Sequence, residues 1–165
     1  MISVHAMALD SSICKNLKSC AEWNQSKTGF IYDLGKLERR AMKVDKSLLL
    51  NDGNADLFFT YILLESDMTR IKRENGTFEI ISLRDVKKYT FPFLKPEEAR
   101  LNFDFYNMSF SFPSKEIAKN AAVLMKKYSS KHGRVYEATE SNKVEVTDIG
   151  VVLGVFQQIA AAVSK

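Results

Sequence analysis

Two histidines and two cysteines are all that this 165-residue sequence offers of the residue types that most often serve as catalytic bases, thiol nucleophiles or soft metal ligands. Nucleophilic catalysis needs a base beside the nucleophile, most often His. His5 stands near the N-terminus and His132 between Lys131 and Gly133, with no such pairing in view. The histidines and cysteines lack zinc-ligand spacing, the acidic residues follow no calcium-loop pattern, and neither a P-loop nor a dinucleotide fingerprint occurs. No cofactor or metal is therefore implied, and nothing nominates an enzyme. Glu97, Glu98 and Asp104 lie close in sequence, but with no apolar surround to shift their ionisation they read as a solvated loop. A hydrolase or transferase using His132 with Glu97 or Asp104 is the least favoured of the readings below.

Charge of one sign is also missing. With 24 basic and 20 acidic residues the formal charge is +4, a mixed surface that permits nucleic acid without indicating it. There is no internal repeat, no low-complexity tract and no Pro/Gly/Ser-rich linker. The first residues, MISVHAMALDSSICKNL, lack the basic and uninterrupted apolar regions of a secretory signal, which predicts a cytoplasmic home. If Cys14 and Cys20 share one helix, their six-residue offset sets them far apart around its axis, so reduced thiols are expected. The apolar segment from Ile149 to Val163 would span about 22 Å as a helix, short of a bilayer core of roughly 30 Å. It predicts no transmembrane crossing.

What is present is periodicity. Ile13, Leu17, Cys20 and Ala21 give one helical face, capped by Asp10, Ser11 or Ser12, and Phe30, Leu34, Leu37 and Ala41 give a second helix weakened by Gly35. From Val44 the text changes to strands: Val44 to Leu50, a turn at Asn51-Asp52-Gly53-Asn54, and Leu57 to Leu64. A two-residue turn at Asn75-Gly76 would pair Lys72 with Glu79 and Ile71 with Ile80. Val86 to Phe91 reads as a further strand. Leu101, Phe103 and Phe105 alternate at odd numbers and Met108, Phe110 and Phe112 at even ones, which asks for a turn or bulge at Tyr106-Asn107. Seven strands result. Ser114 then caps a helix with the stripe Ile117, Ala121, Leu124, Met125 and Tyr128, stopped by Gly133. Val135 to Val146 is a hairpin or a linker, and a last helix begins at Asp148.

The expected fold class is thus α+β: a bent antiparallel sheet or partly open barrel of about seven strands closed by an amphipathic helix, with N-terminal helices and an extra C-terminal helix. Its parts are an N-terminal helical extension (1–43), a sheet with capping helix (44–133), and a linker or hairpin with the apolar C-terminal helix (134–165). From Val44 to Tyr128, the stretches ISLRDVKKYTF and LNFDFYNMSFSFPSKEIAKNAAVLMKKY resemble the pleckstrin-homology-like superfold, which includes PH, GRAM and bacterial PH domains. The resemblance implies that the helix from Ser114 plugs the open end of a barrel. Phosphoinositide-binding members cluster cations in the first hairpin loop. Here that loop is Asn51 to Asn54 followed by Asp56, which points to protein binding instead.

Two surfaces are nominated. On the last helix, Gly150, Gly154, Phe156 and Ile159 are expected to serve partner binding or self-association, because glycines four apart admit a close backbone approach. On the helix before it, Lys119, Lys126, Lys127 and Lys131 could hold an anion. The favoured function is a non-enzymatic interaction module that binds a protein partner or itself. The alternative is a peripheral binder of anionic phospholipid or, less favoured, nucleic acid, acting through residues 114–131.

Overall fold

The structure, a computed structural model, describes residues 7–8, 13–44, 49–50, 52–98, 101–137 and 141–164. The chain divides into two compact units, Met1–Lys87 and Lys88–Lys165. The division anticipated at 43/44 and 133/134 therefore falls inside these units. The α+β class holds, but the described residues form two three-stranded sheets and one two-stranded pair, and no closed barrel.

The N-terminal unit begins with β1 (Met7–Ala8) and α1 (Leu17–Thr28). The helix starts later than its apolar pattern suggests, because Asn16 and Ser19 form a reciprocal capping box in which Asn16 Oδ1 accepts from Ser19 N at 3.0 Å. Leu17 N and Lys18 N, two donors that a helix start leaves without partners, bond Arg40 O at 2.9 Å and Glu38 O at 3.0 Å. Residues 30–41 are thereby recruited as a strap and not as a second helix. They hold β2 (Tyr32–Asp33) and a short 3-10 turn at Gly35–Leu37, where Gly35 takes φ 49° and Asp33 Oδ1 accepts its N–H. The strand expected from Val44 to Leu50 lies partly outside the described residues; β3 (Leu49–Leu50) pairs with β1.

Leu57 to Leu64 is the clearest departure. It belongs to α2 (Ala55–Glu65), which buries Ala55, Phe58, Phe59, Thr60, Ile62 and Leu63 against the core that α1 also lines. An unbroken apolar run carries neither the period of a strand nor that of a helix, so packing partners decide. β4 (Met68–Lys72) and β5 (Phe78–Ser82) form the expected hairpin, one residue out of register: Lys72 faces Phe78, Ile71 faces Glu79 and Arg70 faces Ile80. The loop has three residues, with Gly76 at φ 84° and Arg73 N bonded to Thr77 O at 2.8 Å. The slip puts Ile71 and Ile80 on opposite faces and exchanges the expected Lys72–Glu79 pair for an Arg73–Glu79 ion pair. β2 adds in parallel to β5, giving the order β2-β5-β4.

Val86 to Phe91 is no strand; a 3-10 segment, Leu83–Lys88, takes its first part. In the C-terminal unit, β6 (Phe105–Ser111) runs without interruption through Tyr106-Asn107. Tyr106, Met108, Phe110 and Phe112 share the core face, while Phe105 is buried beside the Phe91 ring at 5.5 Å. The expected turn is unnecessary because Leu101, at 80% exposure, is not part of the strand's buried set. Asn107 instead protects the strand edge. Its N–H donates to Pro92 O and its C=O accepts from Leu94 N, covering part of the β6 edge. α3 (Lys115–Tyr128) follows, capped as expected by Ser114 Oγ, which accepts from Ile117 N at 3.2 Å. β7 (Arg134–Glu137) and β8 (Lys143–Ile149) form the last hairpin, in the sheet order β6-β8-β7, and α4 (Gly150–Val163) closes the unit. Both helices pack against the sheet and each other, so α3 meets a sheet and a helix instead of stopping a barrel.

Candidate functional site

The four lysines nominated for anion binding are all exposed, three on α3 and Lys131 just beyond it. Among the described residues, none of Lys115, Lys119, Lys126, Lys127 or Lys131 forms an ion pair. The inner face of α3 is narrower than its apolar pattern indicated. Ala118, Ala121, Ala122 and Met125 are buried at helical spacing, with Ile117 partly buried. Leu124 and Tyr128, expected on that face, are 39% and 54% exposed, and Val123 beside them is 61% exposed. Val123 and Lys127 lie one turn apart, Leu124 and Tyr128 one turn apart next to them, and Lys127 Nζ stands 5.9 Å from the centre of the Tyr128 ring.

A buried carboxylate secures the loop that carries Lys131. Asp148, fully buried near the end of β8, accepts from Ser130 N at 2.9 Å and from Ile149 N at 2.8 Å. Gly133 lies so close that a Cβ there would sit 2.0 Å from Asp148 Oδ2. Burial pushes the Asp148 carboxyl above its ordinary range, while hydrogen bonds from Ser130 and from the Ile149 N–H pull the other way. Sequence reasoning did not single out this residue; an acid flanked by Thr147 and Ile149 in an otherwise alternating strand is the trace it leaves.

The α4 nominees separate. Phe156 is wholly buried and Ile159 partly buried against the C-terminal core, so the face chosen for assembly faces the unit's own interior. Gly150 is buried as the first residue of α4, its N–H donating to Asp104 O at 3.0 Å. Gly154 is half-buried, with open space where a Cβ would project. What α4 shows to solvent is Val155, Gln158, Ala161 and Ala162, an uncharged surface.

In the N-terminal unit Arg70 is the polar centre that sequence reading missed. Its side chain is 2% exposed, contacts both Asp56 oxygens at 2.6 and 2.8 Å and the Tyr32 hydroxyl at 3.0 Å, and lies over the Phe78 ring at 4.4 Å. Tyr32 in turn donates to Asn24 Oδ1, and Asn24 Nδ2 donates to Ala55 O at 3.0 Å. The network ties α1, α2 and the sheet together, and is structural in character. Cys14 and Cys20 are joined in a buried disulfide, contrary to the expected free thiols. Cys14 precedes α1 in a turn while Cys20 is in the helix, so the geometry of two cysteines on one helix does not apply.

Among the described residues no group of three His, Cys, Asp or Glu side chains could hold a metal, and no helix is long and apolar enough to cross a membrane.

No family model and no curated protein matches the sequence. Solved structures do match. Over 93% of its length the chain superposes, at 16% identity and a TM-score of 0.68, on a chain of the Klebsiella pneumoniae type II secretion system outer membrane complex containing PulD, PulS and the PulC HR domain. It spans 26% of that chain. Looser similarities are to the N-terminal domain of the secretin XcpQ from Pseudomonas aeruginosa (8% identity, 88% of this chain and 59% of that one, TM-score 0.33). The GspC-GspD complex of enterotoxigenic Escherichia coli is similar at 12% identity over 90% of this chain and 92% of that one, with a TM-score of 0.32. The fold is therefore one found in an outer-membrane secretion complex. This overturns the expected cytoplasmic home, and the Cys14–Cys20 disulfide agrees, since such bonds persist in oxidising compartments.

Proposed function

We propose that this chain is a non-enzymatic protein-binding module of a cell-envelope assembly, related in architecture to parts of type II secretion outer-membrane complexes. The observation that carries the reading is the superposition of 93% of the chain on one chain of such a complex. The buried disulfide supports an oxidising, extracytoplasmic setting. The absence of catalytic motifs in the sequence is consistent with a module whose work is binding.

The test is made in cells that express the full chain. Intact cells are treated with a thiol-trapping reagent during lysis, and envelope and cytoplasmic fractions are compared by sedimentation. Cys14 and Cys20 are expected to resist alkylation until a reductant is added, and the chain to sediment with envelope proteins in an assembly larger than its 18.8 kDa. Freely alkylated thiols on a monomer in the cytoplasmic fraction would overturn the proposal.

A further inference from the structure

α3 turns inward the side chains that gain least from burial and leaves larger ones outside. Three of the four buried positions on its inner face are alanines, while Val123, Leu124 and Tyr128 stay exposed as a contiguous group. A helix that has no partner beyond its own unit gains by the opposite arrangement, since apolar stabilisation scales with the area removed from water. The lysines add a second feature. Lys115, Lys119 and Lys126 share one flank of the exposed surface, Lys127 stands among the three apolar residues, and Lys131 follows on the loop clamped by Asp148. Lysines in a last turn favour the helix dipole, which accounts for Lys126 and Lys127 but not for Lys115 or Lys119 in the first two turns. An apolar centre with a charged, solvated rim is the anatomy of a protein interface.

We infer that the outer face of α3, centred on Val123, Leu124, Lys127 and Tyr128, docks an acidic segment of a partner protein that brings apolar anchors to the centre and carboxylates to the lysine rim. The inference rests on the protein-binding reading above and specifies its surface and the chemistry of its partner. Charge complementarity selects the partner: among the described residues Lys115, Lys119, Lys126, Lys127 and Lys131 form no ion pair, and Glu116 is the one acid of the helix. An anionic bilayer would meet the same lysines, but the apolar group consists of three side chains on a helix whose remaining apolar residues are committed to the core. That is a small insertion surface compared with the broad apolar face of interfacial helices.

The experiment uses the full chain and two variants, Leu124→Ser/Tyr128→Ser and Lys119→Gln/Lys126→Gln/Lys127→Gln. All five positions are exposed, so unchanged thermal melting serves as the folding control. The first probe is a labelled helical peptide with leucines on one face and glutamates flanking them, compared with its glutamine counterpart. The second is vesicles containing phosphatidylglycerol. Expected are binding of the acidic peptide that weakens as salt rises, a loss of about tenfold or more in each variant, and no vesicle binding. Equal binding of the glutamine peptide, or variants that bind as the wild type does, would overturn the inference. So would vesicle binding abolished by the same substitutions, which assigns the face to lipid. The envelope sedimentation assay separates the docking surface from the module reading on which it rests. If wild type and both variants enter the large assembly alike, the α3 face is not the docking surface and the module reading stands. If the wild type itself stays monomeric, both fall.

Discussion

Asp148 shows how one side chain can govern a loop and record pH. Its folded-state carboxyl holds its proton to higher pH than an unfolded chain's, whose ordinary value is near 3.8. Within the window between these values the folded state binds more protons, so its stability falls as pH rises and levels off once the folded group has ionised. The difference in urea midpoint between wild type and Asp148→Asn is therefore expected to move toward the wild type on acidification from neutral pH to about pH 4. A difference that is flat with pH would show that burial does not shift the group. Gly133 is the other half of the clamp. Gly133→Ala places a methyl group on a carboxylate pinned by two N–H donors, and is expected to cost about 2–3 kcal/mol, read as a lowered urea midpoint. Neither role is visible in the sequence, because both depend on β8 lying against a loop about 15 residues earlier.

The helices show why period and partner must agree. α3 carries two overlapping apolar stripes, and its sequence does not say which one the sheet will take. Close approach to the sheet and to α4 favours the alanine stripe, leaving Leu124 and Tyr128 outside. In α4 the reverse error arises: an uncharged helix whose only polar side chains are Gln157 and Gln158 has little polar face to mark the outside, so its sequence leaves Phe156 open to assignment as a contact residue. Its position in the core makes a definite forecast. Phe156→Ala is expected to destabilise the C-terminal unit by about 3–5 kcal/mol, and calorimetry should show the loss at protein concentrations where the chain is monomeric. A variant that melts normally but fails to assemble would return Phe156 to an interface. The β4–β5 hairpin illustrates a smaller ambiguity. Asn75-Gly76 announces the reversal, but a two-residue and a three-residue loop use the same pair, and the choice moves every facing side chain by one.

At the scale of the whole molecule, two units with separate apolar cores replace the single sheet expected from Val44 to Phe112. The N-terminal core includes the buried Cys14–Cys20 disulfide. Closing so short a loop is worth about 2 kcal/mol in chain entropy, so Cys14→Ser/Cys20→Ser is expected to lower the urea midpoint correspondingly and to abolish the effect of reductant on wild-type stability. If reductant leaves wild-type stability unchanged, the bond does not support the fold. What the sequence determined by itself was local. It contains the Ser114 cap and the helix after it, the reversal at Asn75-Gly76, the core parity of Met108, Phe110 and Phe112, and the last helix, read from Asp148 and begun at Gly150 once β8 has taken Asp148 and Ile149, each set by residues within a few positions of one another. The tertiary structure decided whatever required a distant partner. It made Leu57 to Leu64 a helix because α1 supplies a face for Phe58, Phe59 and Ile62, and it turned residues 30–41 into a strap because α1 needed acceptors for its first N–H groups. It also brought Cys14 to Cys20 and left the lysine and tyrosine face of α3 outward, since the area buried by neighbouring elements, and not the periodicity of one helix, selects the side that meets solvent.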